Sequence, residues 1–172
     1  MNTNLYQTLC GSLIVTLLGA FFFSSCVSVK LGDSSIQKSD RYSFTSPSTQ
    51  YRVLKDKTVD VAWIQKETGS TLSVKTKCQK GLDIDLAAWV LELSESLNTH
   101  SANIKVDKTN YNGRKAVQSI FDSEIEGFKN KLAVTSFIKN SCQYIIALTA
   151  LSSNFDQDLP EYQKFLQGFK AW

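Results

Sequence analysis

The chain has 172 residues, of which 42% are hydrophobic and 20% charged, with two prolines and eight glycines. That composition excludes a disordered or fibrous protein and is typical of one globular domain with a hydrophobic core. The formal net charge is only +3, and basic and acidic residues alternate without a basic block. Nucleic-acid binding is therefore not expected.

The first 25 residues carry no charged side chain and predict an export signal. Leu13 to Phe23 is apolar except for Thr16, a run of 11 residues. A helix that crosses a bilayer needs about 20 residues, whereas the hydrophobic region of a signal peptide needs about 7 to 15. Residues 1–25 are therefore predicted to be a signal peptide.

The segment Phe23-Ser24-Ser25-Cys26 resembles a bacterial lipobox, with phenylalanine where leucine is usual. The resemblance implies that Cys26 receives a diacylglycerol on its sulfur and becomes the acylated first residue of the mature protein. Acyl chains anchor a protein to a membrane by about 0.8 kcal/mol per buried methylene. An uncleaved signal anchor, or Cys26 as an ordinary core cysteine, is the alternative. Val27 is not the aspartate that retains some lipoproteins at the inner membrane, so an outer-membrane position facing the periplasm is expected.

The remaining cysteines predict a disulfide. Cys10 leaves with the signal and Cys26 is acylated, so the mature chain keeps Cys78 and Cys142. Two leftover cysteines in an oxidising compartment most often pair. Two free buried thiols, or a catalytic dyad of one cysteine with His100, are the alternatives.

Residues 26–40 are polar and aperiodic after the lipidated cysteine and predict a flexible tether, and 41–172 predict the folded domain. Strands are expected at RYSF (41–44), at 59–65 and at 71–78, with a turn at 67–70 between the last two. In strand 71–78 the even positions are apolar apart from one threonine, which puts Cys78 on the core side.

A helix is predicted after this strand, with Asp83 or Asp85 as its N-cap. Its apolar residues recur at spacings of three and four and are Leu86, Trp89, Val90, Leu93 and Leu97. The glutamates Glu92 and Glu95 fall on the opposite, solvent side.

Strands and tight turns then alternate. Asn112-Gly113 favours a type I′ hairpin turn, and further turns are expected at 126–127 and 140–141. Both faces of the strand that begins at Cys142 are apolar, which predicts a central position in a sheet covered on both sides.

A terminal helix closes the chain. Asp158 and Glu161 have the spacing of a capping box, and Pro160 would lie in the first turn. The predicted buried stripe consists of Tyr162, Phe165, Leu166, Phe169 and Trp172.

The element order, the YSFTSP opening, the VAW strand, the NG hairpin and the final F-L-x-x-F helix resemble the PsbP fold over residues 41–172. This implies an α+β domain: a largely antiparallel sheet of about six strands with helices packed on it as an α/β/α sandwich. Ran-binding Mog proteins and several bacterial lipoproteins share that fold. The VAW strand, the strand-ending Cys78 and N-S-C-Q-Y around Cys142 also resemble uncharacterised small lipoproteins of Gram-negative bacteria.

The sequence carries no motif for a catalytic centre, a cofactor or a metal ion. The expected function is a non-catalytic, membrane-anchored module that binds an envelope protein, as most known members of the fold act by binding. One alternative is a carrier or chaperone for an apolar ligand or segment, and a second is an envelope hydrolase. An apolar cavity of roughly 300 Å³ or more would favour the carrier. An exposed apolar patch would favour partner binding.

Overall fold

The computed structural model describes residues 36–97 and 104–172. It contains a seven-stranded antiparallel sheet, a separate pair of short strands and two helices. In chain order these are β1 (Tyr42–Ser43), β2 (Tyr51–Leu54), β3 (Val61–Gln65), β4 (Thr71–Cys78), α1 (Leu86–Ser96), β5 (Val106–Tyr111), β6 (Arg114–Ile125), β7 (Phe128–Lys139), β8 (Cys142–Leu151), α2 (Phe155–Gly168) and β9 (Lys170–Ala171). The predictions for the signal peptide, for Cys26 and for His100 lie outside the described residues.

The large sheet has the order β2-β3-β4-β8-β7-β6-β5, and β1 pairs with β9. All pairings are antiparallel. The prediction that the strand beginning at Cys142 is central is confirmed, because β8 is the fourth of the seven strands. The sheet has one strand more than expected, since β2 carried no clear pattern in the sequence.

Three two-residue turns fix the register of β5 to β8. The residues at 112–113, 126–127 and 140–141 all have positive φ, between 51° and 81°. Type I′ turns require this conformation and match the twist of the flanking strands. The hairpins are therefore closed at the places that the sequence predicts.

One helix packs on each face of the sheet and closes its own hydrophobic core. The core under α1 contains Val90, Val117, Phe121, Leu132, Val134 and Ile145. The larger core under α2 includes Trp63, Leu72, Val74, Phe137, Tyr144, Ile146, Phe165 and Phe169. The predicted α+β sandwich is thus confirmed, and its cores are built from residues 42 to 171.

The predicted start of the terminal helix is wrong. Helix α2 begins at Phe155, so Asp158 and Pro160 lie inside it, and Asn154 at its N-cap makes no side-chain cap bond. Phe155 is buried and Lys131 lies 5.4 Å from its ring centre, so tertiary packing fixes the first turn. Glu161 accepts a hydrogen bond from Ser48 N instead of closing a capping box.

The predicted end of this helix is also wrong. The residue at its C-cap, Phe169, is extended, and Lys170 and Ala171 pair with β1 as a strand. Trp172 does not join the buried stripe and is 55% exposed. The helical period therefore stops one turn before the apolar pattern does.

The last residues of the predicted tether belong to the fold. Gln37 forms a β-bridge with Cys78, through two backbone hydrogen bonds of 3.2 and 2.8 Å. Folded contacts thus begin within the segment 26–40 rather than after it.

Candidate functional site

A disulfide joins the neighbouring ends of β4 and β8. Cys78 and Cys142 are direct register partners with Cα atoms 4.0 Å apart. The two residues are half-buried, and Cys142 packs against the core under α2. Because both sulfurs are bonded to each other, neither is free to form a dyad with histidine.

The chain enters the domain beside this disulfide through a set of polar contacts, here called the N-terminal clamp. Lys38 Nζ lies 3.1 Å from Asp60 Oδ1, and Thr76 N donates to Asp60 Oδ2 at 2.7 Å. Ser39 N donates to Thr76 Oγ1 at 2.7 Å, and the Ser39 hydroxyl lies 3.0 Å from the Tyr144 hydroxyl. These bonds hold residues 37–39 against the disulfide end of the sheet.

An open groove of about 810 Å³ lies between the start of α1 and the β5–β6 hairpin. Its lining includes the buried or half-buried apolar side chains of Leu86, Val117 and Ile138. The exposed cations Lys108, Arg114 and Lys115 also line it. An apolar floor with cations around it is suited to an amphipathic molecule with an anionic group.

An exposed apolar patch lies at the opposite end of the sheet from the disulfide. Ile125 and Phe128 are register partners that flank the turn at 126–127, and Leu151 pairs with Asn130 two positions further along β7. Their exposed fractions are 36%, 63% and 39%. Strand alternation puts all three on the face that α1 covers further along the sheet. This hairpin-end patch, Ile125, Phe128 and Leu151, is the kind of surface that binds partners.

A buried carboxylate under α2 has a structural explanation. Asp158 is 4% exposed, accepts a hydrogen bond from Thr68 Oγ1 at 2.8 Å and has Tyr51 OH at 3.5 Å. Burial and the nearby charges of Asp158 and Glu161 raise the pKa of Tyr51 well above its ordinary value. A tyrosine with a raised pKa is neither a better nucleophile nor a base at neutral pH. Asp158 instead ties α2 to the β3–β4 turn through Thr68 and to β2 through Tyr51.

Two further tyrosines hold α2 against the sheet. Tyr162 OH lies 2.7 Å from Thr135 Oγ1, and complete burial raises its pKa. Tyr111 OH donates to the backbone oxygens of Leu166 and Phe169, and burial raises the pKa of Tyr111 to about 12.

Two pairs of carboxylates that are close in the sequence, Glu92 with Glu95 and Glu124 with Glu126, do not converge on a site. Glu92 and Glu95 are exposed on α1. Glu124 is exposed on β6, whereas Glu126 is in the following turn with φ of 52°, so the two do not share a strand face. Within residues 36–97 and 104–172, no three His, Cys, Asp or Glu side chains are grouped as a metal ion would require.

Among the helices that the structure describes, none is long and apolar enough to cross a membrane.

Two solved structures share the architecture at low sequence identity. LpqN, described as involved in cell envelope biogenesis of Mycobacterium tuberculosis, is 13% identical with a TM-score of 0.56, over 80% of this chain and 92% of that chain. The cyanobacterial PsbP protein CyanoP from Synechocystis sp. PCC 6803 is 14% identical with a TM-score of 0.55, over 87% of this chain and 99% of that chain. No protein-family model matches the chain, and no curated protein matches it significantly. The domain therefore has a PsbP-like fold, and that likeness concerns the fold alone.

Proposed function

We propose that this chain is a lipoprotein of the cell envelope, anchored by acyl groups on Cys26, whose domain is a non-catalytic module that binds another envelope protein. The hairpin-end patch carries the proposal. A phenylalanine that is 63% exposed beside two more exposed aliphatic residues has an energetic reason to be covered by a partner.

The position of the patch fits a tethered protein. The N-terminal clamp holds the start of the domain at the disulfide end, and the patch is at the other end of β7 and β8. A module anchored through Cys26 would thus present the patch away from its attachment point. The likeness to LpqN, which is involved in cell envelope biogenesis of Mycobacterium tuberculosis, is compatible with this role.

A site-specific photo-crosslink tests partner binding. An aromatic photo-crosslinker in place of Phe128 is expected to give a discrete adduct with an envelope protein in intact cells. The same crosslinker in place of Lys164, which is exposed on α2, is the matched control. The proposal fails if position 128 gives no adduct, or the same adducts as position 164.

The lipid anchor has its own test. Cys26→Ala is expected to leave an unprocessed precursor that takes up no labelled fatty acid. Normal cleavage and acylation of that variant would refute the anchor. Sucrose-gradient fractionation of the acylated protein tests the outer-membrane position.

The groove supports a second candidate, a carrier for an amphipathic ligand, because its volume of about 810 Å³ exceeds the roughly 300 Å³ expected of a ligand pocket. Ala87 lines the groove, and its neighbour Ala88 is exposed outside that lining. Ala87→Trp should abolish binding of an anionic fluorescent fatty acid, whereas Ala88→Trp should not. Equal binding by both variants, or none by the wild type, argues against a carrier.

A hydrolase has the least support. Its dyad would need a free thiol from Cys78 or Cys142, and both are in the disulfide.

A further inference from the structure

The two ends of the sheet differ in charge. Among residues 36–97 and 104–172, the strand ends and connections at the disulfide end carry ten basic and five acidic residues. The basic residues are Lys38, Arg41, Lys55, Lys57, Lys77, Lys80, Arg114, Lys115, Lys139 and Lys170, and the acidic ones are Asp40, Asp56, Asp60, Asp83 and Asp85. Among the described residues, the opposite end carries five basic residues, Arg52, Lys66, Lys105, Lys129 and Lys131, and six acidic ones, Glu67, Asp107, Asp122, Glu124, Glu126 and Asp156.

An exposed tryptophan lies at the basic end. Trp172 N donates to Arg41 O at 3.2 Å, which places this residue beside the N-terminal clamp. Lys139 Nζ donates to the preceding carbonyl, Ala171 O, at 2.6 Å. The Trp172 side chain is 55% exposed. Tryptophan next to lysine and arginine is the combination that proteins place at the boundary between water and lipid headgroups.

The length of the chain before the domain brings this end close to the lipid anchor. Gln37 is the first residue that pairs with the sheet, and it follows Cys26 by 11 positions. Eleven residues of any chain span at most about 40 Å when fully extended, and a random coil of that length typically spans about 18 Å. The disulfide end therefore stays near any membrane that holds Cys26.

We propose that the disulfide end is a membrane-docking surface that binds anionic lipid headgroups through its basic residues, with Trp172 at the interface. This inference rests on the proposed lipid anchor for its orientation: the basic end lies on the membrane, and the acidic end with the hairpin-end patch points away. Each Lys or Arg near an anionic surface raises the affinity for that surface by on the order of fivefold. Several such contacts together hold the domain in one orientation.

The test uses the chain from Val27 onward, which lacks the acylated cysteine but contains both cores and the clamp. Binding to vesicles of phosphatidylcholine with about 30% phosphatidylglycerol is measured by co-sedimentation at low and high salt. Binding is expected at low salt, to weaken as salt screens the charges, and to be absent on pure phosphatidylcholine. No binding at low salt, or equal binding to both vesicles, overturns the proposal.

Matched triple variants locate the surface. Lys57→Gln, Lys80→Gln and Lys170→Gln together remove three exposed charges from the disulfide end, and none of these side chains lines the groove. Lys66→Gln, Lys129→Gln and Lys164→Gln remove the same charge elsewhere. The first triple is expected to lower affinity at least tenfold and the second less than twofold. Equal losses would mean that net charge alone binds the vesicle and would refute a docking surface.

These vesicle measurements do not depend on acylation, so they separate the two proposals. If Cys26 is not acylated in cells, the vesicle measurements still test whether the disulfide end binds anionic lipid. In the acylated protein, brominated lipids should quench part of the tryptophan emission. That quenched part should come from Trp172 and should be missing in Trp172→Ala. Absence of that quenching refutes the orientation even when the anchor is present.

Discussion

Removal of the Cys78–Cys142 disulfide is expected to lower the free energy of unfolding by about 4 kcal/mol. The bridge closes a loop of 64 residues, and the chain-entropy relation for a loop of that length gives about 4 kcal/mol at room temperature. The loop contains α1 and β5 to β7, and therefore most of the core under α1. Without the bridge, this whole stretch gains freedom in the unfolded chain.

The native state should change little when the sulfurs are removed. The bridged residues are also register partners in β4 and β8, and the backbone of Cys78 is hydrogen-bonded to that of Gln37. The strand ends are thus held by hydrogen bonds that alanine can keep. The expected loss is therefore a property of the unfolded ensemble, and the denaturant m-value should rise because the unfolded chain becomes more expanded.

Chemical denaturation of the wild type and of the double variant Cys78→Ala/Cys142→Ala measures both quantities. Non-reducing peptide mapping of the exported wild type should first show one linked 78–142 peptide. A loss below about 1 kcal/mol with an unchanged m-value would refute the entropic argument. Free alkylation of both thiols under oxidising conditions would refute the pairing itself.

Three further predictions concern the stability of the domain. Phe137→Ala should cost about 3–5 kcal/mol in the free energy of unfolding, because the ring is fully buried and stacked on Tyr144. Ile120→Ala, at a side chain that is 50% exposed, should cost less than about 0.5 kcal/mol in the same denaturation assay. Asp158→Ala should cost about 1–3 kcal/mol and Asp158→Asn less, because the amide keeps an acceptor for Thr68. The pKa of Tyr111 is raised from 10.0 in the unfolded chain to about 12 in the folded protein. Its contribution to stability is therefore present below pH 10 and is lost as the pH rises towards 12. Tyrosinate absorbance of the native protein and of Tyr111→Phe should show the raised pKa.

Much of the sheet could be predicted because its signals are local. The even positions of β4 are apolar or small, and the structure gives that strand the predicted bounds of 71–78. The turn dipeptides need positive φ, and residues that adopt it readily, such as Asn112-Gly113, can be recognised in the sequence. The N-cap of α1 was predicted as Asp83 or Asp85, and the structure selects Asp85, whose carboxylate accepts from Ala87 N.

The elements that could not be predicted depend on distant contacts. Strand β9 has two residues, and its pairing with β1 joins positions that are about 130 apart in the chain. Helix α2 starts early because Phe155 is buried, although the Asp158-to-Glu161 spacing indicated a later start. A capping-box pattern shows only which bonds a helix end can use. Donors from distant parts of the chain, Thr68 Oγ1 and Ser48 N, decide where the carboxylates of Asp158 and Glu161 accept hydrogen bonds.

The candidate surfaces escaped sequence reasoning for a related reason. The groove combines α1 with the β5–β6 hairpin, and the hairpin-end patch combines three strands, so neither exists within one segment. Ile125 and Phe128 follow the strand alternation like core residues, and yet they are 36% and 63% exposed. A period predicts which face a side chain occupies but cannot predict how far a helix covers that face.

The position of the disulfide has a consequence for an anchored protein. Cys78 and Gln37 exchange two backbone hydrogen bonds, and Cys78 is also covalently joined to Cys142 of the central strand. A pull on a tether from Cys26 would first load the two hydrogen bonds between Gln37 and Cys78, and the disulfide joins Cys78 to β8, which is paired on both sides. Backbone bonds at a sheet edge can open one by one, whereas a load carried into the central strand meets both neighbouring ladders together. Placement of the bridge at the clamp thus suits a domain held from this end, and the basic residues around it are the ones that a nearby membrane would meet first.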